Sequence, residues 1–229
     1  MSAIPLLAFG TLAVDERLVR RTVPVLVRLA IGALLGAVVF DLLPEALAAG
    51  RPPLVVAIGV LSGLGAFVLF DRLLHRRQTA GTALVRLNLT GDLLHNTVDG
   101  MLIAAGFLTD PTLGVVTTVA VSMHELPREF GSFGVFLQGG LSMRRALAYN
   151  ALAGVAAFGG AIVALAAGTI VRGVALALLP VAAGTFVYLA VALLRVAVAE
   201  RRDRGGGWVT FVAWIAVGVA VTGLLHGSS

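Results

Sequence analysis

Long apolar segments alternate with short polar linkers along this chain, and the apolar segments give the number of predicted helices. A helix needs about 20 apolar residues to cross a hydrocarbon core of roughly 30 Å. Seven segments reach that length: 24–47, 54–74, 84–108, 112–139, 145–169, 173–198 and 208–226. The linkers are too short to hold a soluble domain. The pattern therefore predicts an all-α, polytopic membrane helix bundle that forms a single domain over residues 1–229.

The N-terminal stretch from Ala3 to Val14 is apolar but too short to span a membrane comfortably. It has no basic flank before it and no clear cleavage site, so it is a poor candidate for a signal peptide. We interpret residues 1–23 as a short or truncated first helix followed by a cytoplasmic turn. The alternative is that the natural start of the protein lies upstream of this one.

The composition agrees with a membrane location. Of the 229 residues, 59% are hydrophobic and 13% are charged, whereas soluble domains are usually about 45–50% apolar and about 25% charged. The absence of cysteine excludes a disulfide framework and a cysteine metal site. The positive net charge does not indicate nucleic-acid binding, because the arginines are scattered between apolar segments and form no basic face. The run 151–168, which is rich in Ala, Gly and Val, predicts a closely packed interior helix.

All 17 basic residues are arginines, and their distribution predicts the orientation of the chain. Fourteen lie around the start of the first long segment or near every second linker after it. Only Arg51 and Arg172 lie in the alternate linkers, and Arg128 lies inside a segment. Arginine-rich linkers usually remain cytoplasmic. We therefore expect a multi-pass protein of the cell (inner) membrane with an external C-terminus.

Polar residues interrupt the apolar segments at helical spacing. Seven of the 12 acidic residues fall inside predicted spans, where each charge costs about 2.5–3.5 kcal/mol on insertion scales. Residues three, four and seven apart share one helix face. This spacing relates Asp92, His95, Asn96 and Asp99; it relates His124, Glu125 and Arg128, with Glu129 adjacent; and it relates Asp41 and Glu45. We expect these three stripes to face one another across the interior of the bundle.

The residue types in these stripes form a mixed nitrogen and oxygen ligand set. Such a set suits zinc and is compatible with Fe(II), Mn(II) or cadmium. A bound cation would offset the cost of burying the carboxylates, so we favour an ion site over polar groups that only hold helices together. Pro127 removes a backbone donor beside this site, and interrupted helices often mark transport sites. Asp41 and Glu45 fit a pathway lining and a packing role equally well, with Pro44 expected near the end of their helix.

An enzyme is the less favoured interpretation. The run HELPR at 124–128 is similar to the zinc-protease signature HExxH, in which two histidines four residues apart bind the metal. Arg128 stands where the second histidine is needed, so the signature fails. The chain also carries neither a GxSxG motif nor a P-loop. We therefore expect no enzymatic activity and keep an intramembrane metallohydrolase only as a third hypothesis.

These motifs resemble the ZIP (Zrt/Irt-like) family of metal-ion transporters, in particular its subfamily with a His-Glu-x-Pro motif. FDLLPEAL at 40–47 resembles the second helix of the family, and GDLLHNTVDGMLIAAGF at 91–107 resembles the fourth. HELPREFGSFGVFLQGGLSMRRALAYN at 124–150 is similar to the fifth helix and the start of the sixth, and LLPVAAGTFVYLA at 178–190 to the seventh. The resemblance implies an eight-helix fold, here seven full-length helices and a short first one, that moves divalent cations towards the cytoplasm.

The resemblance also implies roles for the polar residues. The metal ligands would be His95, Asn96, Asp99, His124, Glu125 and Glu129. The pathway or the support of the ligands would involve Asp41, Glu45, Asp92, Arg128 and Asn150. Zn²⁺ is then the transported substrate, and the expected partners are divalent metal ions and the lipid bilayer, with a homodimer left open.

Three positions depart from the subfamily pattern. The subfamily usually has His or Gln in place of Arg128, Asp in place of Ser132, and an acidic run where this chain reads ALLRVAV at 192–198. A guanidinium cannot donate a lone pair to a metal. We expect Arg128 to pair with Glu125, Glu129 or Asp99 and take the place of a cation, or to extend towards an interface. These departures leave a diverged, non-transporting metal-binding protein as a second hypothesis.

Overall fold

Helices make up almost all of the structure, a computed structural model that describes residues 16–75, 80–168, 170–204 and 207–227. For some of these residues, mostly near helix ends but also His124 and several residues near it in the sequence, only the backbone is described. The segment from Ala3 to Val14 lies outside the described residues. The elements within the described ranges are α1 (Glu16–Gly36), a π-helical segment (Ala37–Leu42), α2 (Leu43–Ala48), α3 (Pro53–His75), α4 (Ala80–Thr109), α5 (Pro111–Gln138), α6 (Met143–Ala167), α7 (Ile170–Arg204) and α8 (Trp208–Gly227).

The all-α fold predicted from the apolar segments is confirmed. The first long segment becomes one continuous rod made of α1, the π-helical segment and α2, and each later segment becomes one helix. The helices α1 and α7 extend beyond the predicted spans, to Glu16 and Arg204. Their terminal turns are rich in arginine, so a count of apolar residues misses them although the backbone stays helical.

The chain is a multi-pass membrane protein. Within the described residues, four stretches are long and apolar enough to cross a membrane by length and composition: Arg21–Ala48, Pro53–Leu73, Met143–Ala167 and Gly173–Arg201. A shorter apolar stretch, Trp208–Leu224, lies in α8. The helices α4 and α5 have 30 and 28 residues and, at 1.5 Å per residue, are also long enough to cross. Polar residues interrupt their apolar character, and these are the residues that form the candidate site.

Two polar contacts join the neighbouring helices α3 and α7 and show their relative direction. At one end, Arg51 Nη2 donates to the carbonyl oxygen of Gly173 at 3.0 Å. Near the end of α3, Asp71 Oδ2 accepts a hydrogen bond from the hydroxyl of Tyr188, which lies in the middle of α7. The two helices are therefore parallel, and the linkers before α3 and before α7 lie at the same end of the bundle, as the arginine distribution requires.

The rod of α1 and α2 widens immediately before Pro44. The backbone N–H of Leu43 bonds to the carbonyl oxygen of Val38, five residues earlier, which is the pattern of a π-helix. Proline has no N–H to offer to the next turn, and the wide turn precedes it directly. The helix consequently continues past Pro44 to Ala48, and Asp41 is buried within the π-helical segment.

The helix α4 packs against α5, α6 and α7, and its contact with α6 is a contact between backbones. A Cβ atom added to Gly100 would lie 1.9 Å from the carbonyl oxygen of Ala157. One added to Gly160 would lie 2.0 Å from the carbonyl oxygen of Thr97. Small residues permit such close approach of membrane helices. We refer to this contact as the α4–α6 seam.

The prediction that α6 is an interior helix is wrong in part. One face of α6 forms the α4–α6 seam, but its opposite face is exposed, including Leu152, Phe158 and Ile162. In a membrane protein such a face meets lipid, which is as apolar as the side chains of a protein interior. The abundance of small residues therefore indicated close packing on one face and not burial on all sides.

We expect Gly160→Ala to lower the free energy of unfolding by about 1–3 kcal/mol, the usual cost of overpacking. The neighbouring Gly159 is the matched control, because an added Cβ there meets nothing within 4 Å. Gly159→Ala should be neutral or stabilising by up to about 1 kcal/mol, since alanine is the better helix former. Thermal unfolding of the purified protein in detergent measures both changes. Equal unfolding temperatures for the two variants would contradict the α4–α6 seam.

Candidate metal site between α4 and α5

Three potential metal ligands from α4 and α5 lie together in the interior of the bundle. His95 and Asp99 belong to α4 and Glu125 belongs to α5, and each is at most 5% exposed. One donor atom from each lies within 4.8 Å of the others. The distance from His95 Nε2 to Asp99 Oδ2 is 3.4 Å, close to the separation of about 3.4 Å between two ligands of a tetrahedral zinc with bonds near 2.1 Å. A small inward movement of Glu125 would complete a three-ligand site.

The helical repeat explains why the α4 residues share one face. His95 and Asp99 are four residues apart, and so are Asp92 and Asn96, so all four point towards the same side of α4. Asn96 Nδ2 donates to the backbone carbonyl oxygen of Asp92 at 2.9 Å. This bond uses the nitrogen end of the amide, and the oxygen end is the one suited to coordinate a cation.

Arg128 lies beside the three ligands and binds two carboxylates. Its Nε donates to Glu125 Oε2 at 2.8 Å, and its Nη2 donates to Glu125 Oε1. Its Nη1 donates to Asp92 Oδ1 at 2.5 Å. The side chain is 4% exposed, which contradicts the alternative that it extends towards an interface. Glu125 is confirmed as one of the expected partners, whereas Asp92 was not among them.

Two residues that the sequence analysis missed surround this ion pair. Asn88 Nδ2 donates to Asp92 Oδ2 at 2.9 Å. The spacing of four residues places both on one face of α4, so this contact could have been predicted from the sequence. The centroid of the Phe186 ring, on α7, lies 4.7 Å from the centroid of the His95 ring and 5.9 Å from Cζ of Arg128. It forms an apolar wall and a cation–π contact. Nothing in the sequence separates Phe186 from the other apolar residues of α7.

The remaining predicted residues take various positions. Glu129 is buried on α5, and Asn150 Nδ2 donates to its backbone carbonyl oxygen at 3.0 Å, which ties α6 to α5. Asp41 is buried and Glu45 is exposed on the rod before α3. Among the described side chains, the three-ligand group does not include Glu129, Asp41 or Glu45.

Two sequence expectations concern the HELPR run itself. His124 lies in α5, but its side chain falls outside the described residues, so its role as a ligand stays a prediction. The backbone of α5 is helical through position 127. The helix is therefore not broken at Pro127, although proline still leaves the preceding turn without one hydrogen-bond donor.

Buried acidic groups outnumber buried basic groups around the three ligands. Among the described side chains, four carboxylates are buried on α4 and α5, namely those of Asp92, Asp99, Glu125 and Glu129, and Arg128 is the buried cation beside them. A charge inside a protein is costly unless it is paired with an opposite charge or bound to a metal ion. Ionised carboxylates in excess of the guanidinium therefore make the region attractive to a further cation. Its chemistry is that of a buried binding site for a positive ion.

Sequence comparisons show what this chain is similar to. A family model described as ZIP Zinc transporter matches residues 77–226. Zinc transporter ZIP10 of Danio rerio is 41% identical over 100 residues, which are 44% of this chain and 12% of that protein. Zinc transporter ZIP4 of Mus musculus is 40% identical over 122 residues, 53% of this chain and 18% of that protein. Zinc transporter foi of Drosophila melanogaster is 41% identical over 109 residues, 48% of this chain and 15% of that protein. The chain thus spans less than a fifth of the length of each of these relatives.

We expect Asp92→Ala and Arg128→Ala each to lower the free energy of unfolding by about 3–5 kcal/mol, because each leaves a buried charge with one partner fewer. The double variant should lose less free energy of unfolding than the sum of the two single losses, since the residues are in direct contact. Chemical denaturation in detergent measures this cycle.

The matched control for the cycle is Arg86→Ala, which removes an exposed arginine of α4, the helix that carries Asp92. Its change should stay within about 0.5 kcal/mol. Additive losses for Asp92 and Arg128 would contradict the ion pair.

Proposed function

Because the chain belongs to the ZIP zinc transporter family, we propose that it transports divalent metal ions, with zinc as the preferred substrate, across the membrane. The observation that carries this proposal is the group formed by His95, Asp99 and Glu125 in the interior of a membrane bundle. One imidazole nitrogen and two carboxylates are ligands that zinc accepts. A membrane interior is also where such residues are most costly without a cation.

The proposed role of these residues is to replace the water shell of the ion. Further ligands in the proposal are Asn96, His124 and Glu129. Because the contacts of Arg128 hold α4 and α5 together, a movement of these two helices as a unit against the rest of the bundle would expose the ion to one side of the membrane or the other. Binding and release can therefore follow from helix movement without any covalent chemistry, which is the behaviour of a transporter and not of an enzyme.

We further propose that transport is directed towards the cytoplasm across the cell (inner) membrane. The arginine-rich linkers would be cytoplasmic and the C-terminus external. In this proposal residues 1–229 form one membrane domain, and the short first helix predicted within residues 1–23 would end before Glu16, where α1 begins. A second copy of the chain, in a homodimer, is the remaining partner.

A second candidate function is supported by the contact between Arg128 and Glu125. A ligand engaged by a guanidinium holds a metal less readily, and a diverged family member of this kind would bind metal without transporting it. The two candidate functions differ in whether metal ions cross the membrane. Metal binding without uptake into vesicles would favour the second.

Uptake of radiolabelled zinc into liposomes that contain the purified protein tests the proposal. We expect Asp99→Asn to slow uptake about tenfold or more, since contacts with a charged group are worth about 1.5–3 kcal/mol. Asp110→Asn makes the same chemical change at the exposed N-cap of α5, where asparagine caps about as well as aspartate. It should take up zinc at the unaltered rate. Equal rates for the two variants would remove Asp99 from the site.

The orientation is tested by single cysteines, because the chain has none of its own. Ala49 is exposed in the linker before α3, and Ser142 is exposed in the linker before α6. A membrane-impermeant maleimide should label Ala49→Cys in intact cells or spheroplasts. It should label Ser142→Cys only after the membrane is permeabilised. The reverse pattern would invert the proposed topology.

A further inference from the structure

The guanidinium of Arg128 is held in a fixed position between two helices. It grips both carboxylate oxygens of Glu125 on its own helix and one oxygen of Asp92 on α4. Asn88 holds the other oxygen of Asp92 at 2.9 Å, and Phe186 covers the guanidinium from α7. A planar fork that binds two carboxylates is the geometry for which arginine is best suited. The charge of Arg128 is thus built into the site.

Glu125 belongs to two groups at once. Both of its oxygens accept bonds from Arg128, and one of them lies within 4.8 Å of the donor atoms of His95 and Asp99. A metal ion bound by His95 and Asp99 therefore draws on a carboxylate that the guanidinium already holds. The ion and Arg128 compete for the same ligand.

Arg128 also occupies the space in which a second ion would lie. Asp92 and Glu125 come from facing helices, and a cation placed between them would be a bridging ion. The guanidinium takes that position and satisfies both carboxylates with its own N–H groups. A divalent ion could enter there only by displacing a side chain that is bound at three nitrogens.

We propose that Arg128 is a specificity-determining residue that limits the site to one divalent ion per chain and weakens the hold of Glu125 on that ion. This inference rests on the proposed metal site and adds to it the number of bound ions. It predicts that removal of the positive charge opens a second position and strengthens the first.

The test is zinc stoichiometry, measured by equilibrium dialysis and elemental analysis of the purified, monodisperse protein in detergent. The unaltered protein should hold one zinc ion per chain, and Arg128→Gln should hold two. Arg128→Lys keeps the charge without the fork and should hold one. Arg86→Gln removes an exposed arginine of α4 and should also hold one. Two ions in the unaltered protein, or one in a folded Arg128→Gln, would overturn the proposal.

A second variant covers the case in which Arg128→Gln does not fold. Asp92→Asn combined with Arg128→Gln removes both members of the buried pair and leaves Glu125 to the metal. This double variant should bind its first zinc ion about tenfold more tightly, which corresponds to about 1.4 kcal/mol. Unchanged affinity would overturn the competition between Arg128 and the ion.

The outcomes separate this inference from the proposed function. If the unaltered protein takes up zinc and holds two ions, the role of Arg128 is overturned and the proposed transport is not. One bound ion whose affinity depends on Arg128, without uptake, overturns transport and supports the role of Arg128. A protein that binds no zinc overturns both.

Discussion

The interaction on which the site depends is the buried ion pair of Arg128 with Glu125 and Asp92. It joins α5 to α4 in a region where unpaired charges cannot find water. The desolvation cost of such groups is offset only when the geometry is good and the remaining polar atoms are satisfied, and Asn88 and the fork of Arg128 meet both conditions. The pair fixes the register of the two helices that supply His95, Asp99 and Glu125. It therefore determines where a metal ion can be held.

The fold and the location of the site could be predicted from sequence because a bilayer imposes strict rules. Helices that cross hydrocarbon must satisfy their own backbone, so long apolar segments translate directly into helices. Polar residues within those segments are costly, so His95 and Asp99 were conspicuous by type and by a spacing of four residues. Both signals are local, and a single sequence contains them in full.

The contacts across helices could not be predicted in the same way. Asp92 and Arg128 are 36 residues apart, and nothing along the chain specifies which faces of α4 and α5 meet. The same gap explains the error about α6 and the failure to identify Phe186. Lipid and protein interior are equally apolar, so a membrane helix carries little of the polarity pattern that reveals the buried face of a soluble helix.

The α4–α6 seam has a mechanical consequence. Where helices are separated by flexible side chains, one can slide against the other by repacking rotamers. Here the α-carbons of Gly100 and Gly160 lie directly against carbonyl groups of the facing helix, and no compliant layer exists to absorb shear. A shift of even one residue along the axis, about 1.5 Å, would force backbone atoms into each other. The pair α4 and α6 must therefore translate as one rigid body, so a load carried on His95 and Asp99 would take α6 with it.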